Sequence, residues 1–289
     1  MQPNREIDPA LLDNAGDFTE AFFRRFTLRH APRPLQLTPQ IAKDYLFPTL
    51  YGDVTCAMAV FMCSYDRASH LMLHPKMKPV RMPRGRALVL LSCVEYRKVL
   101  GVAPYNEVAM TIPVLLDPLL HVPVLPMLLG TFRSFGYHVF GMPVTSLENR
   151  IRGREIWGLP KVVQQVDIVE DGGDCVTTCR EDSGEPYLTL RVPMHGTPTE
   201  LDLSSNLYTR LGDRLLHSRT SLKATFNVRK RMGLLLRTGV APDREYLTLG
   251  DGPSAEILHE LEIERCPFQL RFAKGMTSAF DLPHAEQVV

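Results

Sequence analysis

In the run GREIWGLPKVV, residues 153–163, Lys161 follows Pro160 and precedes Val162 and Val163, with Trp157 and Leu159 just upstream. A lysine amine in water is an ammonium with a pKa of about 10, and an ammonium cannot attack a carbonyl. Apolar surroundings or a neighbouring positive charge lower that pKa and free the lone pair. A free amine condenses with a ketone to give an iminium, an electron sink for breaking an adjacent carbon–carbon or carbon–hydrogen bond. Pro160 fixes its own φ and steadies the start of the segment. In a strand, Lys161 and Val163 share one face and Val162 takes the other. A solvent-facing lysine opening an ordinary strand has the same local sequence, so both readings stand at this level.

Other chemistry-bearing groups are scattered. His70 and His74 in DRASHLMLHP are four apart and share a helix face. That spacing can start a metal site, but no HExxH pattern accompanies it, and structural or surface roles are expected. His30, His121, His138, His195, His217, His259 and His284 are isolated. No GxGxxG follows a strand, and GxxxxGKS/T, GxSxG and zinc-type spacing are missing. Neither a metal nor an organic cofactor is expected. Cys56, Cys63, Cys93, Cys175, Cys179 and Cys266 contain no CxxC pair, and several lie in apolar runs, so all are expected to be reduced.

These groups must be positioned by a chain of 289 residues, 45% apolar, which buries a sizeable core without disulfides. Basic and acidic residues number 33 and 32, a net charge of +1, which gives no footing for nucleic acid. No apolar run reaches the length of a membrane span. The opening MQPNREIDPALLDN lacks the basic head and apolar stretch of a signal peptide, so a cytoplasmic location is expected.

Spacing predicts a helix over 8–29, then irregular chain at Pro32, Pro34 and Pro39. A buried strand is expected over 53–65 and a short helix over 66–74. RALVLLSCVEYRKV and YNEVAMTIPVLL read as strands. VVQQVDIVE, DCVTTCRE and PYLTLRVPM read as antiparallel strands joined by DGG and DSGE hairpins. EYLTLG and HELEIERCPFQLRFAKG add strand, and further helices are expected around 123–134 and 204–216. This is not the strand–helix alternation of a doubly wound sheet. The expected class is mainly β with peripheral helices (α+β), built on a large antiparallel sheet or closed barrel. One domain over 1–289 is expected, with 1–45 as an N-terminal helical extension.

GREIWGLPK resembles the signature of the acetoacetate decarboxylase family, GRE followed a few residues later by PKK. GVAPYNEVAMTIPV, 101–114, resembles the family's stretch in which a glutamate precedes an IPV-like strand. ERCPFQLRFAKGMTSAFDLP, 264–283, is similar to its late strand and the DLP that follows. The likeness spans about residues 50–283; the first segment is distinctive, and the others support its order. The resemblance implies a sheet wrapped into a cone or barrel with Lys161 inside as the Schiff-base lysine. It implies that Glu107 handles protons or positions a substrate carboxylate, and that Arg154 and Glu155 support the lysine's loop. Glu95 lies one strand earlier, in a region where the family has another acid, although an ungapped comparison puts Ser92 there. Tyr105 would share a strand face with Glu107, either positioning a proton or simply packed. Trp157 is grouped with the substrate-binding or supporting residues.

Two departures stand out. The family's second lysine is Val162 here. The arginine before the first core strand, which helps hold substrate, is missing from LYGDVTC, leaving Arg81, Arg84 or Arg86 to replace it. The expected activity is that of a lyase forming a Schiff base with a small oxo acid at Lys161, decarboxylation of a β-keto acid being the first reading. The alternatives are a pyruvate-type aldolase–dehydratase using the same lysine, and a small-molecule-binding protein using the same cavity. The expected partner is the oxo acid, in a homo-oligomer, with no nucleic acid and no membrane.

Overall fold

The computed structural model describes residues 1–118, 124 and 134–285. In chain order its main strands are β1 (Thr49–Ser64), β2 (Met77–Pro79), β3 (Arg86–Val99), β4 (Tyr105–Leu116), β5 (Phe135–Val144), β6 (Lys161–Val163), β7 (Gln165–Asp171), β8 (Asp174–Arg180), β9 (Pro186–Pro193), β10 (Thr197–Leu211), β11 (Arg214–Lys230), β12 (Leu247–Leu249) and β13 (Gln269–Phe280). The α-helices among these residues are α1 (Tyr65–His70), α2 (Leu147–Trp157) and α3 (Glu256–Glu260).

The hydrogen-bonded circuit runs β1, β3, β4, β5, β10, β11, β13 and back to β1, so the sheet closes into a barrel. Its joints are antiparallel except β5 with β10, which is parallel at Asn206 and Gly136. Strand β6 lies parallel to β5, with Lys161 opposite Met142. A second sheet, β7–β8–β9–β12, covers one side of the barrel.

Period-two alternation separates the two faces of the wall. Ala57, Phe61, Val89, Leu91, Val108 and Ile112 point outward and pack on the second sheet through Val166, Cys179, Leu188 and Leu190. Each large side chain fully buried there contributes roughly 1.5–3 kcal/mol. Val54, Cys56, Val94, Tyr105, Val139 and Met142 point inward and form the interior together with Trp157 and Leu159.

Several expectations are corrected. Residues 8–29 do not form a helix; they hold two 3-10 turns, Ala15–Asp17 and Phe23–Arg25. Leu11 and Leu12 stay exposed, and only Phe18, Phe22 and Phe23 are buried, against Leu50, Leu100 and Ala279. The Asn14 side chain also ties the segment down, donating to the Val99 carbonyl and accepting from the Gly101 amide. Too short an apolar stripe remains to hold a long helix. Residues 204–216 are the β10–β11 hairpin, and the stretch beginning HELEIER opens in α3 before reaching β13. The DGG and DSGE hairpins form as expected. The helix expected around 123–134 lies largely outside the described residues. Among the described residues no helix is long and apolar enough to cross a membrane.

All six cysteines are unpaired and buried. Burial pushes the thiols of Cys56, Cys63, Cys175 and Cys179 up to about 12. In the unfolded chain such a thiol loses its proton at about pH 8.5. Between these values the folded state holds more protons, so stability falls as pH rises. Each thiol contributes a slope of about 1.4 kcal/mol per pH unit. The urea midpoint should therefore hold to about pH 8 and fall steeply by about pH 11; a flat profile across that window would contradict this account.

Candidate active site

Helix α2 sets the site. Ser146 caps its start, accepting the Asn149 amide at 3.3 Å. Gly158 ends it in the left-handed region at φ 63°, and the Gly158 and Leu159 amides close on the carbonyls of Arg154 and Gly153. A Cβ at Gly158 would stand 2.3 Å from the Arg210 carbonyl oxygen, so this tight stop also permits close contact with β10. Three residues after Gly158 the chain enters β6, and Lys161 turns inward while Val162 faces out, 44% exposed. Val162, where the resemblance implies a second lysine, therefore points away from the interior.

Lys161 and Glu107 are both buried, and Lys161 Nζ lies 2.6 Å from Glu107 Oε2. The two groups form a buried ion pair, with no further hydrogen-bond partner at Oε2. They border a cavity of about 140 Å³ whose wall includes Tyr51, Tyr96, Asn149, Arg152 and Trp157. Tyr105 lies one step along from Glu107 on the same face of β4, with its ring centroid 5.5 Å from Lys161 Nζ. Tyr51, Tyr96 and Tyr105 form a run of rings with centroids 4.6 and 4.8 Å apart. Burial is the main cause that pushes the Tyr51 phenol up to about 12, with Arg152 opposing and Glu107 adding to it. Burial, with the Glu107 charge adding to it, also holds Tyr96 and Tyr105 well above the ordinary phenol range. The three rings therefore stay neutral at physiological pH.

Trp157 belongs to the cavity wall. Its Nε1 donates to the Asp281 carbonyl at 2.8 Å, and its ring stacks on Phe280 at 4.9 Å. The motif residues Arg154 and Glu155 do not reach the cavity: both side chains are exposed, and Glu155 borders a larger outer cleft of about 950 Å³. The outer cleft is bigger, but the buried amine, guanidinium and carboxylate gather at the smaller cavity, which makes that the candidate site.

Arg152, which sequence reasoning passed over, is the buried cation of the helix, only 1% exposed. Successive helical residues turn about 100°, so Arg152 and Arg154 lie about 200° apart and face opposite sides. Its guanidinium lies 4.3 Å from the Tyr45 ring centroid. Nη1 donates to Asn149 and Nη2 to Thr49, each at 3.1 Å, and Nε has no partner. Among the described residues no carboxylate pairs with it. Glu148, on the neighbouring turn, is already held by Lys43 at 3.0 Å and by the Tyr45 hydroxyl. Recognising Ser146 and Gly158 as helix bounds would have revealed this face.

The arginines considered as replacements lie elsewhere. Arg86 pairs with Glu264 and donates to the carbonyls of Leu234 and Leu235. Arg81 lies over Tyr65, and Arg84 sits in an exposed turn. Glu95 pairs with Arg97 on the strand face opposite Tyr96, away from the cavity. Among the described residues no group of three histidine, cysteine or acidic side chains is placed to hold a metal.

Gly153 packs against the lysine stem. A Cβ there would fall 2.4 Å from Lys161 Cδ and 2.6 Å from Cε. Gly153→Ala should push the amine off its seat and lower turnover on the order of 10²-fold, since a displacement of about 1 Å can cost that much. The fold should survive, because the obstructing group is a side chain. Wild-type turnover in a Gly153→Ala protein would contradict this packing role.

The family model for acetoacetate decarboxylase (ADC) matches residues 32–265. The chain belongs to the acetoacetate decarboxylase family. Its structure is similar to an acetoacetate decarboxylase from Legionella pneumophila, with a TM-score of 0.58, 13% identity and 94% of each chain covered. It is also similar to the enduracididine biosynthesis enzyme MppR complexed with pyruvate, with a TM-score of 0.53, 12% identity and 82% and 90% of the two chains covered. An acetoacetate decarboxylase-like enzyme from Sphingomonas wittichii RW1 gives a TM-score of 0.52 at 14% identity, covering 89% and 100%. At these identities the likeness concerns the fold. No curated protein matches the chain.

Proposed function

We propose that this family member is a Schiff-base-forming lyase that acts on a small oxo acid through Lys161. The observation that carries the reading is the burial of Lys161 Nζ, 2.6 Å from Glu107, at a cavity that Arg152 enters without a carboxylate partner. A cavity of about 150 Å³ takes up a molecule of benzene size, so about 140 Å³ suits a compact oxo acid.

Arg152 has five N–H donors and uses two of them within the protein, leaving donors for a substrate carboxylate. The Lys161 ammonium passes a proton to Glu107, and the amine adds to the keto carbon. The proton returns to the departing oxygen, water leaves and an iminium remains. With a 3-oxo acid the bond to the carboxylate then breaks, its electron pair flows into the iminium nitrogen, and carbon dioxide departs. Glu107, recharged by a proton from solvent, protonates the enamine carbon, and water hydrolyses the product iminium to restore the amine.

Arg152 favours a second reading. A guanidinium paired with the carboxylate stabilises the ground state of a group whose charge must flow away during decarboxylation. A 2-oxo acid keeps its carboxylate throughout. Its iminium needs only to lose a methyl proton, to Glu107, before the enamine adds to an aldehyde. The pyruvate complex of the similarly folded MppR supports considering this route.

Borohydride trapping with 2-oxo and 3-oxo acids, read by intact mass and peptide mapping, tests the proposal. The expected result is a substrate-dependent adduct on Lys161. An adduct lighter by carbon dioxide indicates decarboxylation, and one that retains the carboxylate indicates condensation chemistry. No adduct with any member of the panel would sink the Schiff-base reading.

A further inference from the structure

We propose that the barrel interior carries a second anion seat at Arg271, and that the oxo acid handled at Lys161 is a dicarboxylate whose distal carboxylate pairs with this guanidinium. The near end of the ligand rests on the Schiff-base reading; the far end rests on independent observations.

A cross-strand row leads from the cavity to Arg271. Ala109 lines the cavity, Ser92 pairs with Ala109, Met58 with Ser92, and Arg271 with Met58. All four remain partly accessible. Their neighbours on the opposite face, Val108, Leu91, Ala57 and Phe272, are buried against or beside the second sheet. A row that stays accessible on the inner face of a closed barrel borders its hollow, and a barrel of this size has room for one small ligand. The row leads across the inner wall from the cavity at Lys161 to Arg271.

Arg271 lacks an answering charge. Its Nη2 donates to Gln269 Oε1 at 2.8 Å, while Nε is buried without a partner. Among the described residues no carboxylate pairs with it. The groups whose charge reaches it are Tyr137 and Cys56, both kept protonated by burial. Burial itself works against the charge on Arg271, but a guanidinium stays protonated in a protein. Within the interior Lys161 and Glu107 cancel, so Arg152 and Arg271 leave two positive charges unanswered. A ligand with two carboxylates answers both. Three strand spacings separate the backbones at Ala109 and Arg271, about 14 Å along the curved wall, and the long Arg271 side chain reaches back across part of that distance, leaving a gap on the scale of a five- or six-carbon diacid. The two acids must therefore stand at opposite ends of an extended chain.

The test compares borohydride trapping of 3-oxoglutarate and 3-oxoadipate with acetoacetate, and of 2-oxoglutarate and 2-oxoadipate with 2-oxobutyrate. Wild-type protein should reach half-maximal trapping at a concentration about tenfold or more lower for dicarboxylates. In Arg271→Gln that advantage should collapse, and Arg271→Lys should restore part of it, with circular dichroism checking the fold. Equal trapping of both classes by wild-type protein, or an advantage that survives Arg271→Gln, overturns the seat. If no oxo acid is trapped, the lysine chemistry fails separately. Calorimetry with glutarate and adipate against butyrate then decides the seat: binding that requires Arg271 upholds it, and equal or absent binding overturns it.

Discussion

Lys161→Ala protein gives no borohydride adduct and turns over oxo acids on the order of 10⁴-fold more slowly or worse, the scale seen when a covalent nucleophile is removed. The expectation follows from the proposed role, in which no other group supplies the amine. The same substitution should also be felt in stability. Glu107 is 5% exposed and has Lys161 as its ion-pair partner. Removing one member of a buried pair leaves the other charge uncompensated, at a cost of about 3–5 kcal/mol. Replacing both, as Lys161→Met with Glu107→Gln, should recover much of that stability while remaining inactive. Urea unfolding of the single and double variants measures the recovery. A trapped adduct that persists in Lys161→Ala would place the nucleophile elsewhere.

Arg152→Gln raises KM for the oxo acid by roughly 10- to 100-fold, the value of a charge-assisted hydrogen bond to a carboxylate. Arg154→Ala, two residues away, should stay within about 0.5 kcal/mol of wild type in stability, because its side chain is exposed and away from the cavity. The contrast separates the role of helix face from that of motif membership. Because Arg152 packs over Tyr45, Arg152→Lys is needed beside Arg152→Gln. It keeps the charge but loses the planar fork, and should retain part of the affinity. If KM rises in Arg154→Ala and not in Arg152→Gln, the carboxylate seat has been assigned to the wrong arginine.

The strands were legible where one face is buried and turn residues bound the run, as in β7, β8 and β9 with their DGG and DSGE hairpins. The failures share one cause. Residues 8–29 have helical spacing, yet their apolar side chains are divided between solvent and the barrel wall. Residues 204–216 lie within a long hairpin whose stability comes from partners on either side, Gly136 to His138 on one and the β13 strand on the other. Helix α2 mixes charged and apolar residues without a clear stripe, because its buried face carries Asn149, Arg152 and Glu148. A polar buried face defeats a search for apolar periodicity.

Local sequence by itself determined the face alternation that puts Lys161 opposite Val162 and the shared face of Tyr105 and Glu107. These follow from backbone geometry within a few residues. Tertiary structure alone decided that Glu107 meets Lys161, that Arg152 rather than Arg154 enters the cavity, and that Arg271 shares the barrel interior. Those contacts join residues from separate strands and a helix. Closure of the barrel brings them together and removes them from water, and no local pattern records which charges are then left without partners.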